Sequence, residues 1–432
     1  MTAKQIVLTI NIFFLSVAQL LLAGDTNFLP IFGARTLARN GLYFAGSDGL
    51  ASAVANPAAL LYTEGRLLQL VAMDRAGRQQ LDSPGAGLFR SFRYNDFAFA
   101  GGAFWRVSDG LAAGISYHRA ADFRVEWPFA IFREKPGSSV VLVFEMLNQL
   151  TVDAITPTAA FKLGGMAFGI SVNVYRVTQH TAFPLANDAW YQGIGLSAYQ
   201  FDYDQDAWTF GVNVGLSADL SKKLQVGGTA RMGYSADLEG QAVSNMFVDL
   251  NAAPAQVALS SKFKMPWIFG AGLLYKLGER SELNLDAAYN LWGSTQDQFR
   301  FTFSDAAWQN GLASADTVTG FQGDRFPLNF DNALDVGIGY EYTHSAEWNY
   351  RASYRFSQSP NSAATYSLLL PGVHQHWFTA GIGYQSGRFT LDGALAFAIG
   401  QSREVASQSS GIKSGKYTSN VILPVASLRY RL

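Results

Sequence analysis

The stretch Trp208–Ser217, which reads WTFGVNVGLS, decides the fold class. Large apolar residues occupy every second position, and small or polar residues stand between them: Trp208, Phe210, Val212, Val214 and Leu216 alternate with Thr209, Gly211, Asn213, Gly215 and Ser217. This two-residue period indicates a β-strand whose two faces meet different surroundings. A tilted strand of about ten residues is long enough to cross the hydrocarbon core of a bilayer.

The same alternation recurs along the chain, for example at 334–342 and 348–356. Six short turns, at 107–110, 163–166, 219–223, 277–281, 344–347 and 385–388, separate seven longer segments, near 75–93, 124–152, 178–205, 236–263, 299–331, 358–373 and 403–416. This pattern predicts an all-β fold, an antiparallel transmembrane β-barrel of about fourteen strands. In a soluble sandwich the apolar faces would turn inward, but little else in the chain could cover so many of them.

Composition agrees with a barrel in the bacterial outer membrane. Charged residues make up 15% of the chain, against roughly 25% in soluble domains. Aromatic residues make up 14%, and there is no cysteine. The net charge of −1 leaves no basic excess to neutralise phosphates, so no nucleic-acid partner is predicted.

The N-terminal part divides into two segments. Residues 1–24 have a single charge, Lys4, before an apolar run, and they are predicted to be a signal peptide whose cleavage site is open. A retained membrane helix is the alternative. Residues 25–64, rich in Gly, Ala and Ser from Gly41 to Leu60, are predicted to be a small plug, or hatch, inside a barrel formed by residues 65–432. The alternative for the plug is a surface helix that stops at Pro57.

The chain resembles the FadL-type outer-membrane transporters of long-chain fatty acids and other hydrophobic compounds. The motif Asn56-Pro57-Ala58 resembles that of the family's hatch. Later segments follow the family's order: 152–161, 206–215, Lys264-Met265-Pro266-Trp267, Ser359-Pro360, and Leu370-Pro371-Gly372 before His376-Trp377.

The resemblance implies passive uptake of a hydrophobic solute. The solute would be caught at outer loops and then leave sideways, past the hatch, beside an inward kink in the third strand. Here that strand covers about 111–125, and either Gly114 or Ala121-Asp122 could form the kink. Asn56, Pro57 and Ala58 are the predicted gating residues. The alternative is that Asn56 simply caps a turn.

Two further sets of residues are candidates for binding the solute inside the barrel. An apolar pocket is predicted at Phe28, Phe32, Leu42, Tyr43 and Phe44, although the same residues could pack ordinarily against the wall. Arg231, Arg351 and Arg355 fall on inward faces and are candidate partners for a solute carboxylate. They could instead pair with Asp286, Asp335 or Glu341.

The outer loops are unusually apolar. Trp190, Tyr191, Met246, Phe247, Val248 and Leu250 are predicted to form an outer groove, the alternative being a lid of mutually packed loops. Residues 139–150 place Val140, Val143, Phe144, Leu147 and Leu150 on one stripe if they are helical.

No enzyme is predicted, because neither Gly-x-Ser-x-Gly nor His-Glu-x-x-His occurs. His374 and His376 share a strand face without a third ligand, so neither a metal nor another cofactor is expected.

The expected partners are a hydrophobic small molecule, outer-membrane lipid and the barrel-assembly machinery, and the protein is expected to be a monomer. The alternative function is a scaffold for a surface or secretion complex. A polar porin fits less well, because of the plug and the apolar loops.

Overall fold

A computed structural model describes residues 33–84, 87–135, 138–185, 199–249, 251–313, 323–362, 365–406 and 414–432. Its strands form one antiparallel sheet, which closes into a barrel because the first strand pairs with the last, from Leu67 opposite Arg431 to Asp82 opposite Lys416. The predicted barrel of fourteen antiparallel strands is confirmed.

Eleven strands are continuous: β1 Arg66–Ser83, β2 Tyr94–Ser108, β3 Leu111–Lys135, β4 Ser138–Leu163, β5 Met166–Leu185, β6 Tyr199–Asp219, β10 Ala333–Thr343, β11 Trp348–Ser357, β12 Gln375–Ser386, β13 Phe389–Gly400 and β14 Gly415–Arg431. Three are interrupted: β7 Leu224–Arg231 and Tyr234–Val243, β8 Gln256–Met265 and Ile268–Lys276, and β9 Ser281–Asn290 and Gln298–Phe303. Three short strands, Gly87–Arg90, Arg325–Pro327 and Arg403–Val405, pair at the edges of β1, β9 and β14.

Helices occur in the hatch and the outer loops. The hatch contains α1 Ala34–Ala38, α2 Leu50–Val54 and a 3₁₀ helix Pro57–Tyr62. The outer loops contain α3 Met246–Asp249, a 3₁₀ helix Trp292–Ser294 and α4 Ala306–Ala313. Within the described ranges, no helix is both long enough and apolar enough to cross a bilayer. The predicted signal peptide lies outside those ranges, as does the start of the predicted plug.

The two faces of the strands meet the surroundings that the alternation predicts. Trp208 and Phe210 are 62% and 66% exposed on the outside of the barrel, whereas Asn213 and Ser217 are buried inside it. The six short turns join consecutive strands at one end. At the other end several strands, among them β3, β4, β5 and β6, continue well past the ten or so residues that span a bilayer.

One local expectation is wrong. Residues 139–150 do not form a helix but belong to β4, in which Leu147 stands opposite Glu126 of β3 and Ala182 of β5. Strand β3 pairs with the whole of this segment, and β5 pairs with it from Leu147 onward, so its backbone groups find hydrogen-bond partners in a sheet. A single amphipathic helix would have had to find a separate surface to cover its apolar stripe.

The interior is filled in two layers. One layer packs the hatch against the barrel wall and includes Leu50, Leu60 and Phe104. The other lies nearer the long loops and is mostly aromatic, with Phe123, Tyr203 and Trp308 among its fully or nearly fully buried members. The described part of the predicted hatch, residues 33–64, therefore packs in one half of the lumen, and the aromatic layer occupies the other.

Candidate functional site

Asn56 joins the hatch to the barrel wall. It precedes the 3₁₀ helix, where Pro57 suits the first position because its missing N–H would have had no helical partner. Its Oδ1 accepts a hydrogen bond from the Ala58 N–H at 3.2 Å. Its Nδ2 donates to the carbonyl oxygens of Phe44, at 2.7 Å, and Leu216, at 3.0 Å, and to Ser217 Oγ, at 3.0 Å. Asn56 is fully buried, so one side chain both caps the turn and ties the hatch to β6.

The wall behind this motif is built from glycines. A Cβ at Gly215 would overlap Asn56 Oδ1, and a Cβ at Gly169 would overlap the backbone between Pro57 and Ala58. Only a residue without a side chain lets the two backbones approach this closely. The inward glycines of β5 and β6 therefore form the seat of the Asn-Pro-Ala motif.

Ion pairs hold the first half of the hatch. Glu341 of β10 contacts Arg35 at 3.1 Å and Arg39 at 3.4 Å, and it also binds Arg351. Burial by itself acts to lower the pKa of Arg35, but Glu341, Tyr43 and Asp48 together outweigh this effect, and the pKa of Arg35 lies well above its usual value. The arginines of the hatch therefore stay charged and bound to the wall.

The three predicted carboxylate partners already have contacts within the protein. Arg351 binds Glu341 and, at 2.7 Å, Asp392. Arg231 donates to the Val54 carbonyl oxygen at 2.8 Å. Arg355 stacks over Trp377, 5.0 Å from the ring centroid. All three cations are engaged near the hatch, on the inward faces where they were predicted.

The predicted inner pocket is filled in this structure. Leu42, Tyr43 and Phe44 are buried in the packed layer around the hatch, and Arg39 stacks over the Tyr43 ring at 4.8 Å. Burial raises the pKa of Tyr43, so its hydroxyl stays protonated. Phe28 and Phe32 lie outside the described residues.

A cavity lies in the aromatic half of the lumen, and no prediction located it. Its lining is mostly apolar with a few polar groups: Phe123, Asn148, Leu150, Gln179, Thr181, Phe263, Lys264, Trp292, Gln296, Phe299, Phe301, Phe326, Leu328, Phe330 and Leu370. Its free volume is about 60 Å³, well below the roughly 150 Å³ of a cavity that binds benzene. A solute would therefore have to displace side chains in order to bind.

The prediction of an outer groove is corrected in part. Met246 and Phe247 of α3 were expected to face water, but they are buried, and the Phe247 ring centroid lies 4.9 Å from that of Trp308 in α4. Val248 is exposed. Aromatic packing between the two loop helices buries Met246 and Phe247 in the same cluster as the aromatic residues of the lumen, which favours the alternative of a lid. Trp190, Tyr191 and Leu250 lie outside the described residues.

The wall is incomplete between β2 and β3. The two strands pair only up to Gly101 opposite Tyr117. Beyond that point β2 pairs with β1, β3 pairs with β4, and the register of β3 shifts between Arg119 and Ala121. Gly114, one of the two candidates for a kink, is paired regularly on both sides, so the irregularity lies beside the other candidate, Ala121-Asp122.

Charged side chains occupy this gap. Arg75 contacts Asp96 at 3.7 Å and Asp122 at 3.3 Å, and Arg119 contacts Asp96 at 3.4 Å and Asp153 at 3.1 Å. These contacts join the unpaired edges of β2 and β3 through side chains where backbone pairing has stopped. Phe123, two residues beyond Ala121, lines the cavity, so the gap and the cavity are neighbours.

The histidines singled out in the sequence have hydrogen-bond partners. His374 Nδ1 accepts from the Ser359 N–H at 3.0 Å, and His376 Nδ1 lies 2.8 Å from the Tyr354 hydroxyl. Partial burial, together with Arg403 and His376, lowers the pKa of His374, which favours the neutral acceptor. Elsewhere, on the outer wall, ligand atoms of Glu145, His180 and Asp202 lie within 4.8 Å of one another.

Comparison with known proteins gives one family and several relatives. A model of the family described as outer membrane protein transport protein (OMPP1/FadL/TodX) matches residues 147–431. A long-chain fatty acid transport protein of Salmonella typhi is 22% identical over 204 residues, which cover 46% of this chain and 44% of that protein. The corresponding protein of Escherichia coli K12 is 24% identical over 212 residues, 46% of this chain and 43% of that protein. The chain thus spans less than half the length of these curated relatives.

Solved structures match over nearly the whole chain. A FadL homologue of Pseudomonas aeruginosa superposes with a TM-score of 0.77 at 15% identity, covering 95% of this chain and 100% of that one. The toluene transporter TodX of P. putida superposes with a TM-score of 0.74 at 17% identity, covering 94% of this chain and 99% of that one. At these identities the likeness establishes the shared barrel fold.

Proposed function

Because the chain belongs to the outer membrane protein transport protein family (OMPP1/FadL/TodX), we propose that it carries hydrophobic compounds across the bacterial outer membrane by passive diffusion. The observation that carries this proposal is the apolar cavity, which the hatch closes from below and which adjoins the gap between β2 and β3. A long-chain fatty acid and an aromatic hydrocarbon both fit the apolar character of such a path.

The proposed route runs from the outer loops to the cavity and then sideways through the wall. The free energy of an apolar solute falls along this route because more of its surface leaves water. A straight path through the lumen would meet the packed hatch and its buried ion pairs, whereas at the gap only side-chain ion pairs, those of Arg75 and Arg119, stand where backbone pairing has stopped. Release through the side therefore avoids the aqueous periplasm.

In this proposal the hatch controls the path. Asn56, Pro57 and Ala58 set the position of the hatch against β5 and β6. The predicted residues Leu42, Tyr43 and Phe44 support the hatch from within its packed layer. The solute site itself is assigned to the cavity at Phe123, Leu150 and Trp292, because that cavity has apolar walls with free space between them.

A cavity-filling variant tests the proposal. Leu150→Trp should reduce uptake of labelled oleate and of labelled toluene by cells that lack other channels for these compounds, because the larger ring occupies the cavity. Leu428→Trp is the matched control, since Leu428 is exposed on the outer face of β14. Normal uptake by a correctly inserted Leu150→Trp protein would refute the proposed route and favour the scaffold function.

A further inference from the structure

A second interruption of the wall lies between β8 and β9, far around the barrel from the gap at β3. The two strands pair at Ser261 opposite Phe301 and again at Ile268 opposite Asn290. The Leu291 N–H still donates to the Trp267 carbonyl oxygen at 2.9 Å, but beyond that bond residues 262–266 face a longer segment, 292–300, and the regular ladder is absent there. Pro266, which has no N–H to donate, lies at the break in β8.

The side chain of Gln296 takes the place of the missing ladder. Its Oε1 accepts from the Lys264 N–H at 3.0 Å, and its Nε2 donates to the Lys262 carbonyl oxygen at 2.8 Å. Nε2 also lies 2.9 Å from the Gln298 carbonyl oxygen. A side-chain amide presents the same acceptor and donor as a peptide unit. Gln296 therefore closes the gap as a neighbouring strand would, but it can leave by rotating about its own side-chain bonds.

Free space lies on both sides of this closure. Inside is the apolar cavity, and outside is a polar groove with a free volume of about 490 Å³. The groove is lined by Lys262, Lys264, Ser294, Thr295, Gln296, Asp297, Gln298 and Arg300. Lys264 and Gln296 line both spaces, so these two side chains form the partition between them.

Three cations and one carboxylate, Asp297, line the groove, which lies beside the edge of the lipid-facing band. Trp267, which follows Pro266, is exposed on the outer wall, and its ring lies 6.2 Å from that of Phe269 in a stacked arrangement. Exposed aromatic residues of this type mark the boundary between hydrocarbon and headgroups. The groove follows immediately on the polar side of that boundary, at the depth of lipid headgroups.

Lys264 is the cation best placed to bind a headgroup. Lys262 forms an ion pair with Asp237 at 3.0 Å, and Arg300 lies 3.9 Å from Asp324. No carboxylate among the described residues forms an ion pair with Lys264, which is half-buried at the partition. A carboxylate or another anion in the groove could bind it without first breaking an existing pair.

We propose that this gap is a second, lateral entrance, through which an anionic single-chain amphiphile passes from the outer leaflet into the cavity. Its headgroup binds in the groove at Lys264, and its chain passes Gln296 into the aromatic lumen. The inference rests on the proposed transport function, because it uses the same cavity. It adds an entrance at lipid depth to the access from above through the outer loops.

A label in the groove tests the entrance. The natural chain has no cysteine, so Ser294→Cys gives a single thiol that a bulky maleimide can modify. In nanodiscs, binding and release of cis-parinaric acid, a fluorescent long-chain fatty acid, should both slow about tenfold, because the label obstructs the passage beside Gln296. The control is the same label at Leu88→Cys, on the exposed short strand Gly87–Arg90.

A second variant acts in the opposite direction. Gln296→Leu keeps the bulk but loses all three contacts that close the gap, so both rates should rise. If the labelled Ser294→Cys protein matched the labelled control in both rates, the entrance would be refuted while transport stood. Failure of the parent protein to bind cis-parinaric acid at all would instead refute the cavity as the solute site.

Discussion

The buried side-chain amide of Asn56 holds the hatch in position against the barrel wall. Replacing it with Ala would leave the carbonyl oxygens of Phe44 and Leu216 without their amide donor, and a buried group without its partner costs roughly 1–3 kcal/mol. We expect Asn56→Ala to leave the barrel folded, because no strand is altered, and to loosen the hatch.

The measurements are uptake of labelled fatty acid and proteolysis of the hatch, alongside the heat-modifiable mobility of the barrel. Ser217→Ala is the matched control, since it removes only one of the contacts of Asn56 and should have a smaller effect. Parent-like uptake and proteolysis in Asn56→Ala would mean that the residue only caps the turn.

Lys264 determines whether an anionic headgroup is preferred. Lys264→Met keeps the length of the side chain but removes its charge. A hydrogen bond to a charged group contributes roughly 1.5–3 kcal/mol, so the Kd for a fatty acid should rise about 10- to 100-fold. The Kd for the fatty alcohol of the same length should change little.

The control for this prediction is Lys262→Met, two residues away, whose amine is already paired with Asp237. Titration of each variant with the acid and with the alcohol gives the comparison. Equal loss of affinity for both compounds would indicate a packing defect and no charge recognition.

Among the elements, β3 carries the irregularity that opens the wall. Deleting Ala120, at the register shift, should restore regular pairing with β4 and let β3 pair further along β2. We expect the barrel to insert normally and uptake of fatty acid to fall sharply, as measured in whole cells with surface-labelled protein as the reference. Undiminished uptake would show that release does not use this gap.

The loop helices α3 and α4 form a packed cover. Phe247→Asp would place a carboxylate against Trp308, and burying an unpaired charge is unfavourable. We expect faster proteolytic cleavage of the loop near α3 in an otherwise intact barrel. Val248→Asp is the matched control, because Val248 is exposed and should tolerate the charge. Equal cleavage of both variants would argue against the cover.

These elements also show what the sequence could predict. The period of two identified the faces of β6, because alternation is a property of each strand alone. The alternation of short turns and long connections gave the number of strands. It could not locate Ala120 or Gln296, because a bulge or a gap depends on the register between two strands. The prediction of a helix at 139–150 was wrong because pairing with β3 and β5, which also depends on neighbouring strands, outweighed the apolar stripe.

At the scale of the whole molecule, the barrel and the hatch are joined by buried charge. Three arginines surround Glu341, and the wall carboxylate Asp392 binds both Arg351 and Arg429. Such networks tolerate the loss of a member poorly, because the remaining charges stay buried without a partner. We therefore expect the hatch to stay bound to the barrel wall.

Glu341→Gln tests this coupling. Loss of the carboxylate takes away the ion-pair partner of Arg35, whereas Arg39 keeps Glu282 and Arg351 keeps Asp392. We therefore expect the hatch to shift at Arg35 and the barrel to conduct ions. In planar bilayers the parent protein should be almost silent, and Glu341→Gln should show frequent openings. Glu282→Gln is the control, because Glu282 is partly exposed and binds only Arg39 among the described residues. A Glu341→Gln protein as silent as the parent would show that hydrogen bonds and packing alone, at Asn56 and the glycine seat, keep the hatch in place.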